Sequence, residues 1–354
     1  MIKVLRYGVW LLLSLLVACS NDTPEPVQGY VFGTMVEVTI QGLPKAEAEQ
    51  LAGGVMQEFR QLHQQLHAWQ ADSELSKLNQ AIAQGQSKAV SPLLAQMLRD
   101  ASRYSEQSNG LFNPAIGHLI ALWGFQRDEF SPVQVDEAQR QAWVKAHPQM
   151  SQLRIVDTQQ GESQVSSVNP AVKIDMGGYA KGYALDVAAN YLKAHGVKNA
   201  LVNIGGNIIA LGQRGNRPWQ VGIQHPRQPG SLAMLSLQDG WAIGTSGDYQ
   251  RYFERDGKRY CHIIDPRTGA PAQGTQSVTV LIPPAEHAGV LSDVASKPIF
   301  IASASVQDRL DAARRMQIQN FLVVDAQGQV IVSEPMSKRL HWLKKPVHLQ
   351  QVAP

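Results

Sequence analysis

Apolar positions along this chain keep two rhythms, and the switches between them mark the elements. Leu51, Val55, Phe59, Leu62, Leu66 and Trp69 recur every three or four residues, which lines them along one face of a helix. Ser91-Pro92, a capping hydroxyl followed by proline in the first turn, predicts a second helix that stops at Asn109-Gly110. A third is expected over 178–195, closed by Gly196, and two more over 285–302 and 306–316. Short apolar or alternating runs between Gly and Asn turns predict strands near 31–40, 172–174, 200–204, 208–211 and 219–223. Further strands are expected near 233–237, 278–281, 321–324 and 330–332. Residues 126–150 are polar and read as an insertion or helical excursion. The sequence has no internal repeat and no linker inside 30–343. The mixture predicts an α+β fold in one compact unit, although 354 residues alone would allow about two.

The first residues follow another logic. Lys3 and Arg6 form a basic start, residues 7–17 an apolar core, and Leu16-Val17-Ala18-Cys19 a lipobox-like end. The apolar run is shorter than the ~20 residues a bilayer span needs, so it reads as an export signal. The expectation is a lipoprotein signal peptide over 1–18, lipidation at Cys19, a tether over 19–29, a folded domain over 30–343 and a tail over 344–354. The lipid would hold the protein on the periplasmic side of a membrane, the inner one by expectation. Cys261 is then left without a partner, so no disulfide framework exists, and a thiol inside a strand is expected to pack rather than react.

Charge narrows the function classes. Loss of Lys3 and Arg6 lowers the formal charge from +3 to +1, which gives no footing for a nucleic-acid surface. An anionic substrate would have to be met locally, by a few residues or a metal ion.

Three segments carry candidate chemistry. Arg259-Tyr260-Cys261-His262-Ile263-Ile264-Asp265-Pro266-Arg267-Thr268-Gly269 reads as a strand that breaks into a turn. It leaves His262 and Asp265 near an exposed strand end, with Asp265 beyond the strand, where the turn can swing it back. Lys173-Ile174-Asp175-Met176-Gly177-Gly178-Tyr179-Ala180-Lys181-Gly182 is a strand running into a glycine-rich helix start. Backbone N–H groups and the helix dipole favour a phosphate there, Lys181 adds a cation, and Asp175 faces the same place. Leu291-Ser292-Asp293-Val294-Ala295-Ser296-Lys297-Pro298 sets oxygens three residues apart on one helix face, a spacing that can share a hard cation.

These segments resemble the ApbE family of FAD:protein FMN transferases. The resemblance extends to Val31-Phe32-Gly33-Thr34-Met35, to His67-Ala68-Trp69-Gln70-Ala71-Asp72, and to Gly110-Leu111-Phe112-Asn113-Pro114. It also covers Ile243-Gly244-Thr245-Ser246-Gly247-Asp248-Tyr249, read as a loop. Together the motifs span nearly the whole chain after the signal. The resemblance implies a T-fold-related domain that takes FAD as substrate and Mg²⁺ as cofactor. It assigns flavin nucleotide contacts to Phe32, Trp69, Leu111, Phe112, Asn113, Asp175, Lys181, Thr245, Ser246 and Ile264. Magnesium would be held by the carbonyl of Gly178, by Asp293 and by Ser296, and catalysis would fall to His262, with Asp265 the second candidate base. Lys297 departs from the pattern, because it stands where the family offers a further oxygen. FMN would pass to a Thr or Ser hydroxyl of an exported redox subunit carrying a Ser/Thr-Gly-Ala-Ser/Thr-Thr-like motif. Two rival readings use the same residues: an FAD diphosphatase, with water as nucleophile, and a non-catalytic flavin-binding lipoprotein.

Overall fold

A nine-stranded sheet organises the chain, in the order Val27–Val31, Thr34–Gln41, Asn199–Ile204, Asn207–Leu211, Ala242–Gly247, Thr275–Ile282, Asn320–Asp325, Val330–Ser333 and Leu349–Val352. The structure is a computed structural model and describes residues 25–127, 129–159 and 161–354. The expected signal peptide and Cys19 lie outside the described residues. Every strand pair in this sheet is antiparallel except the last, Val330–Ser333 with Leu349–Val352.

Both faces of the sheet are covered, which explains why Thr275–Ile282 is buried at every position. On one face pack the helices Lys45–Leu66, Ala180–Ala194 and Ala288–Ile301, joined to Val278, Val280, Ala242 and Val323 in one apolar core. On the other, Trp219, Val221, Leu235 and Leu237 come from a three-stranded sheet of Trp219–Gln224, Ser231–Leu237 and Leu340–Trp342. They meet Ala210, Ile243, Leu281 and Leu322, which alternate with the helix-facing residues as the pleat requires. The α+β expectation holds, and the periodic helices form: Lys45–Leu66, Pro92–Gln107, Ala180–Ala194, Ala288–Ile301 and Val306–Arg315. Ser91 caps its helix as predicted, its Oγ accepting the Leu94 N–H at 3.3 Å.

Several boundaries need correction. The expected strand at 31–40 is two strands folded at Phe32-Gly33, whose φ of 56° and 68° make the tight turn that a two-residue hairpin needs. The expected strand at 172–174 is only a bridge between Ile116 and Lys173. There the Asn79 side chain replaces a ladder, taking the Ile174 N–H at 2.7 Å and bonding its carbonyl at 2.8 Å. The loop expected at 243–249 is largely the strand Ala242–Gly247 in the middle of the sheet. The domain also exceeds 30–343 at both ends. Val27 and Gln28 already pair with Val38 and Glu37, and the expected tail supplies the edge strand Leu349–Val352. Within 126–150 the excursion is the helix Glu137–Ala146.

Candidate active site

One cleft gathers residues from seven separate parts of the chain. Its floor is the turn 175–179, which enters the helix Ala180–Ala194. Asp175 Oδ1 accepts the Gly177 N–H at 2.8 Å, and Asp175 Oδ2 accepts Trp69 Nε1–H at 3.1 Å. The indole is thereby fixed against the glycine turn, with the Lys173 ammonium 4.1 Å from its ring centre on the ring face. Lys181 also lines the cleft, and burial holds its pKa below the ordinary lysine value although Asp293 pulls the other way.

The apolar wall comes from Phe32, Trp69, Leu111 and Phe112. Phe32 holds a left-handed backbone at φ 56°, and its ring meets the imidazole of His63 edge-on at 5.3 Å between centres. Asn113 reaches the cleft as well, yet its amide serves the backbone: Nδ2 donates to the Pro148 carbonyl at 2.9 Å and Oδ1 accepts from Ala115 N–H at 3.0 Å. Thr245 and Ser246, from the central strand, and Ile264, beside His262, complete the expected contacts. All ten of the residues expected to touch the nucleotide therefore line the same cleft.

His262 follows the hairpin Tyr252–Arg255 and Lys258–Cys261, which is clamped by a stack of Trp123, Phe253, Phe125 and Tyr260. Its Nδ1 lies 3.2 Å from the Arg251 carbonyl oxygen, and since a carbonyl only accepts, Nδ1 carries the proton. Nε2 is left with its lone pair. Burial, then the cations of Arg251, Lys181 and Lys297, hold the imidazole well below its ordinary pKa of 6.5, so it is neutral at neutral pH.

Asp265 does not join it. The expected turn does not swing its carboxylate back: the residue pairs with Ala270, and Arg267 takes the carboxylate through Nε at 3.0 Å and Nη2 at 2.8 Å. It is absent from the cleft lining, and its lone pairs are committed to a guanidinium, so it is not a second base. Cys261 is a packed thiol, buried and pushed up to about 12 by desolvation.

Asp293 sits on the helix Ala288–Ile301, its side chain 3% exposed. Oδ2 accepts the Gly182 N–H at 3.0 Å, while Oδ1 is 2.6 Å from the Lys297 ammonium. Burial alone would raise this carboxyl; Lys297 and Lys181 outweigh it and keep the group ionised. The expected magnesium set does not assemble around it. Ser296 Oγ is turned away to Ser246 Oγ at 2.7 Å and to the Asp293 carbonyl at 2.9 Å, and Ser296 does not line the cleft. Mg²⁺ requires oxygens at about 2.1 Å in a near-octahedral shell, and an ammonium stands on the one carboxylate offered. Among the described residues no group of three or more His, Cys, Asp or Glu side chains is placed to hold a metal ion. These residues do not fit the metal as they lie.

Sequence reasoning missed Arg251, which lines the cleft and donates from Nη2 to the Phe125 carbonyl at 3.1 Å. It also missed His63 in the wall, and it gave no contact to His67, which stands inside the segment that carries Trp69.

Comparison with known proteins places this arrangement. A Rhodobacter capsulatus protein named FAD:protein FMN transferase is 40% identical over 325 residues, covering 92% of this chain and 60% of the relative. The match thus spans less than two thirds of that relative's length. A Klebsiella pneumoniae protein of the same name is 33% identical over 275 residues, 77% of each chain. The crystal structure of the ApbE protein from Thermotoga maritima superposes with a TM-score of 0.78 at 27% identity, over 89% of this chain and 99% of that one. The ApbE family profile matches residues 32–322, which takes in the glycine turn, His262 and Asp293. This chain belongs to the ApbE family.

Proposed function

We propose that this protein transfers FMN from FAD to a Thr or Ser hydroxyl of an exported acceptor protein and releases AMP. The observation that carries the reading is the placement of His262, its Nδ1 on the Arg251 carbonyl and its Nε2 left to take a proton, in the same cleft as the glycine turn and the cations of Lys181, Arg251 and Lys297. The relatives' shared name, FAD:protein FMN transferase, supports the same chemistry.

In this mechanism the flavin lies against Trp69, Phe32 and Phe112, and the diphosphate lies on the backbone N–H groups after Asp175 with Lys181 beside it. The acceptor hydroxyl attacks the FMN phosphorus. Its O–P bond forms as the bond from that phosphorus to the bridging oxygen breaks, and the electron pair leaves with AMP. The hydroxyl proton passes to His262 Nε2. A bound divalent cation would lend positive charge to the leaving phosphate. No step here depends on one, because the donors around Asp293 do not fit it. Arg251 fixes the base twice, its carbonyl taking the Nδ1 proton at 3.2 Å and the His262 N–H at 3.0 Å.

The acceptor by this reading carries a Ser/Thr-Gly-Ala-Ser/Thr-Thr-like motif, and the enzyme meets it on the periplasmic side of the inner membrane, tethered through lipid on Cys19. Among the described residues no helix is long and apolar enough to cross a membrane. Incubation of the protein with FAD and a motif-bearing acceptor, read by in-gel flavin fluorescence, tests the reading. A fluorescent acceptor band that disappears when its Thr is changed to Ala is the expected result; free FMN and no labelled band would favour the diphosphatase.

A further inference from the structure

The helix position one turn after Asp293 carries a lysine, and its ammonium lies where a cation shared by Asp293 and the Gly178 turn would lie. Lys297 Nζ is 2.6 Å from Asp293 Oδ1 and 2.7 Å from the Asp293 carbonyl oxygen. The stem reaches that point by crossing the glycine turn. A Cβ built on Gly178 would stand 2.8 Å from Lys297 Cε and 3.2 Å from Cδ, so the missing side chain at Gly178 makes room for the lysine. The Lys297 side chain is only 15% exposed and its carboxylate partner 3%, so this is a built ion pair and not a solvated contact. Both residues line the cleft, with Lys181 and Arg251.

We propose that Lys297 takes the place of a divalent cation at the FAD diphosphate, so that this chain binds FAD and transfers FMN without Mg²⁺ at Asp293. The inference rests on the transferase reading and changes what supplies the charge in it. An ammonium has three N–H donors, and Asp293 takes two of them, which leaves one for a phosphate oxygen. A metal ion held by the same carboxylate would face that ammonium at close range, and like charges there repel strongly. One ammonium carries less charge than Mg²⁺. Lys181, in the first turn of the neighbouring helix, and Arg251, beside His262, make up the difference on the same diphosphate. The covalent step is unchanged: the charge left on the AMP phosphate is met by N–H donors, no bond forms to Lys297, and no further reactant is needed.

The test uses the mature protein stripped with EDTA. FAD binding is followed by flavin fluorescence, and Mg²⁺ binding by calorimetry with FAD present. Wild type is expected to hold FAD within about 2-fold of the same affinity with and without Mg²⁺, with no saturable Mg²⁺ heat, and to label the acceptor in EDTA. Lys297→Thr removes the cation and restores an oxygen. It should bind FAD at least about 10-fold more weakly in EDTA, recover with Mg²⁺, and show one Mg²⁺ site per chain. Lys297→Arg, which keeps the charge, should stay independent of Mg²⁺ and guards against a general folding effect of substitution. Loss of wild-type FAD binding or labelling in EDTA, restored by Mg²⁺, would overturn the substitution and leave the transferase reading standing. Absence of FAD binding under every condition would overturn both.

Discussion

Gly182 and Gly289 meet backbone to backbone: a Cβ on Gly182 would lie 2.5 Å from the Gly289 carbonyl oxygen, and one on Gly289 would lie 2.5 Å from that of Gly182. This contact sets how near the helix Ala180–Ala194, which begins at the glycine turn, comes to the helix that bears Asp293 and Lys297. Two carboxylates tie the crossing. Asp186 accepts the N–H groups of Gly289 at 2.7 Å and Val290 at 2.9 Å, and Asp293 accepts that of Gly182 at 3.0 Å. Gly182→Ala would gain up to about 1 kcal/mol in helix propensity. The enforced separation should cost more, about 1–3 kcal/mol. The expected outcome is a lower urea midpoint together with weaker FAD binding, since the turn moves with its helix. A raised midpoint would show that the crossing is slack.

Phe32 offers the opposite trade. It holds φ 56° in a two-residue turn, a conformation that suits Asn or Gly and strains an aromatic residue. Such strain amounts to roughly 1–3 kcal/mol where it occurs. Its ring lines the cleft, so the strain is coupled to the site. Phe32→Asn should therefore raise thermal stability and weaken flavin binding. Thermal melting and a riboflavin titration on the same preparation decide it, and a loss of stability would mean that the ring's contacts with Phe59 and His63 outweigh the strain.

On the transferase reading, Lys181 and the turn before it would meet the diphosphate, and Trp69 and Phe112, which line the same cleft, would meet the ring system. FAD should accordingly bind more tightly than riboflavin, and Lys181→Met should narrow that gap about 10-fold or more with little change for riboflavin. Equal losses for both ligands would place Lys181 on the flavin and not on the diphosphate.

The sequence was most legible where one residue type has one physical use. Ser91-Pro92 announced a helix start, and Gly177-Gly178 announced the turn that enters the helix Ala180–Ala194. It was least legible where tertiary partners replace local signals. Gly244-Thr245-Ser246-Gly247 has the composition of a loop. It is nevertheless a central strand, because Thr275–Ile282 pairs along its whole length and a side chain at Gly244 would collide with the Ser292 carbonyl. Residues 172–174 failed as a strand for the converse reason: a buried Asn79 takes both backbone groups of Ile174, and only Lys173 bonds across to another backbone segment, at Ala115 and Gly117. Asp256-Gly257, with φ of 52° and 69°, turns the hairpin leading to His262, and a pair of that kind is a hairpin signal in the sequence itself. Asp265 could not be judged from its neighbours. Which of two carboxylate partners a turn presents depends on where Arg267 reaches, and that is a matter of packing.

His262 gives the sharpest pH signature. A group whose folded pKa is depressed is neutral over a wider range, so the base should stay competent as pH falls through 6.5. The acid limb of kcat/KM for FMN transfer, which reports the free enzyme, is expected below pH 6.5. The same shift bears on stability with the sign fixed by linkage. The unfolded chain takes up a proton near 6.5 and the folded chain does not, so His262 stabilises the fold above that pH and the contribution is lost as pH falls. His118, stacked on Trp143 at 4.0 Å and lowered to about 4 by burial and Lys173, acts in the same direction. Asp186 opposes both, because burial raises it to about 6 and its protonation on acidification is easier in the folded chain. His262→Gln keeps a polar side chain at the hairpin's end but offers no basic nitrogen. It should retain FAD binding within a few-fold, lose about 10²–10⁴-fold in transfer, and lose the histidine's part of the pH-dependent stability. Chemical denaturation at pH 7.5 and 5.5, run beside the transfer assay, separates the roles. Transfer near wild type with FAD bound would remove His262 from the proton's path, and an unchanged stability difference between the two pH values would show that the imidazole is not the buried neutral group described.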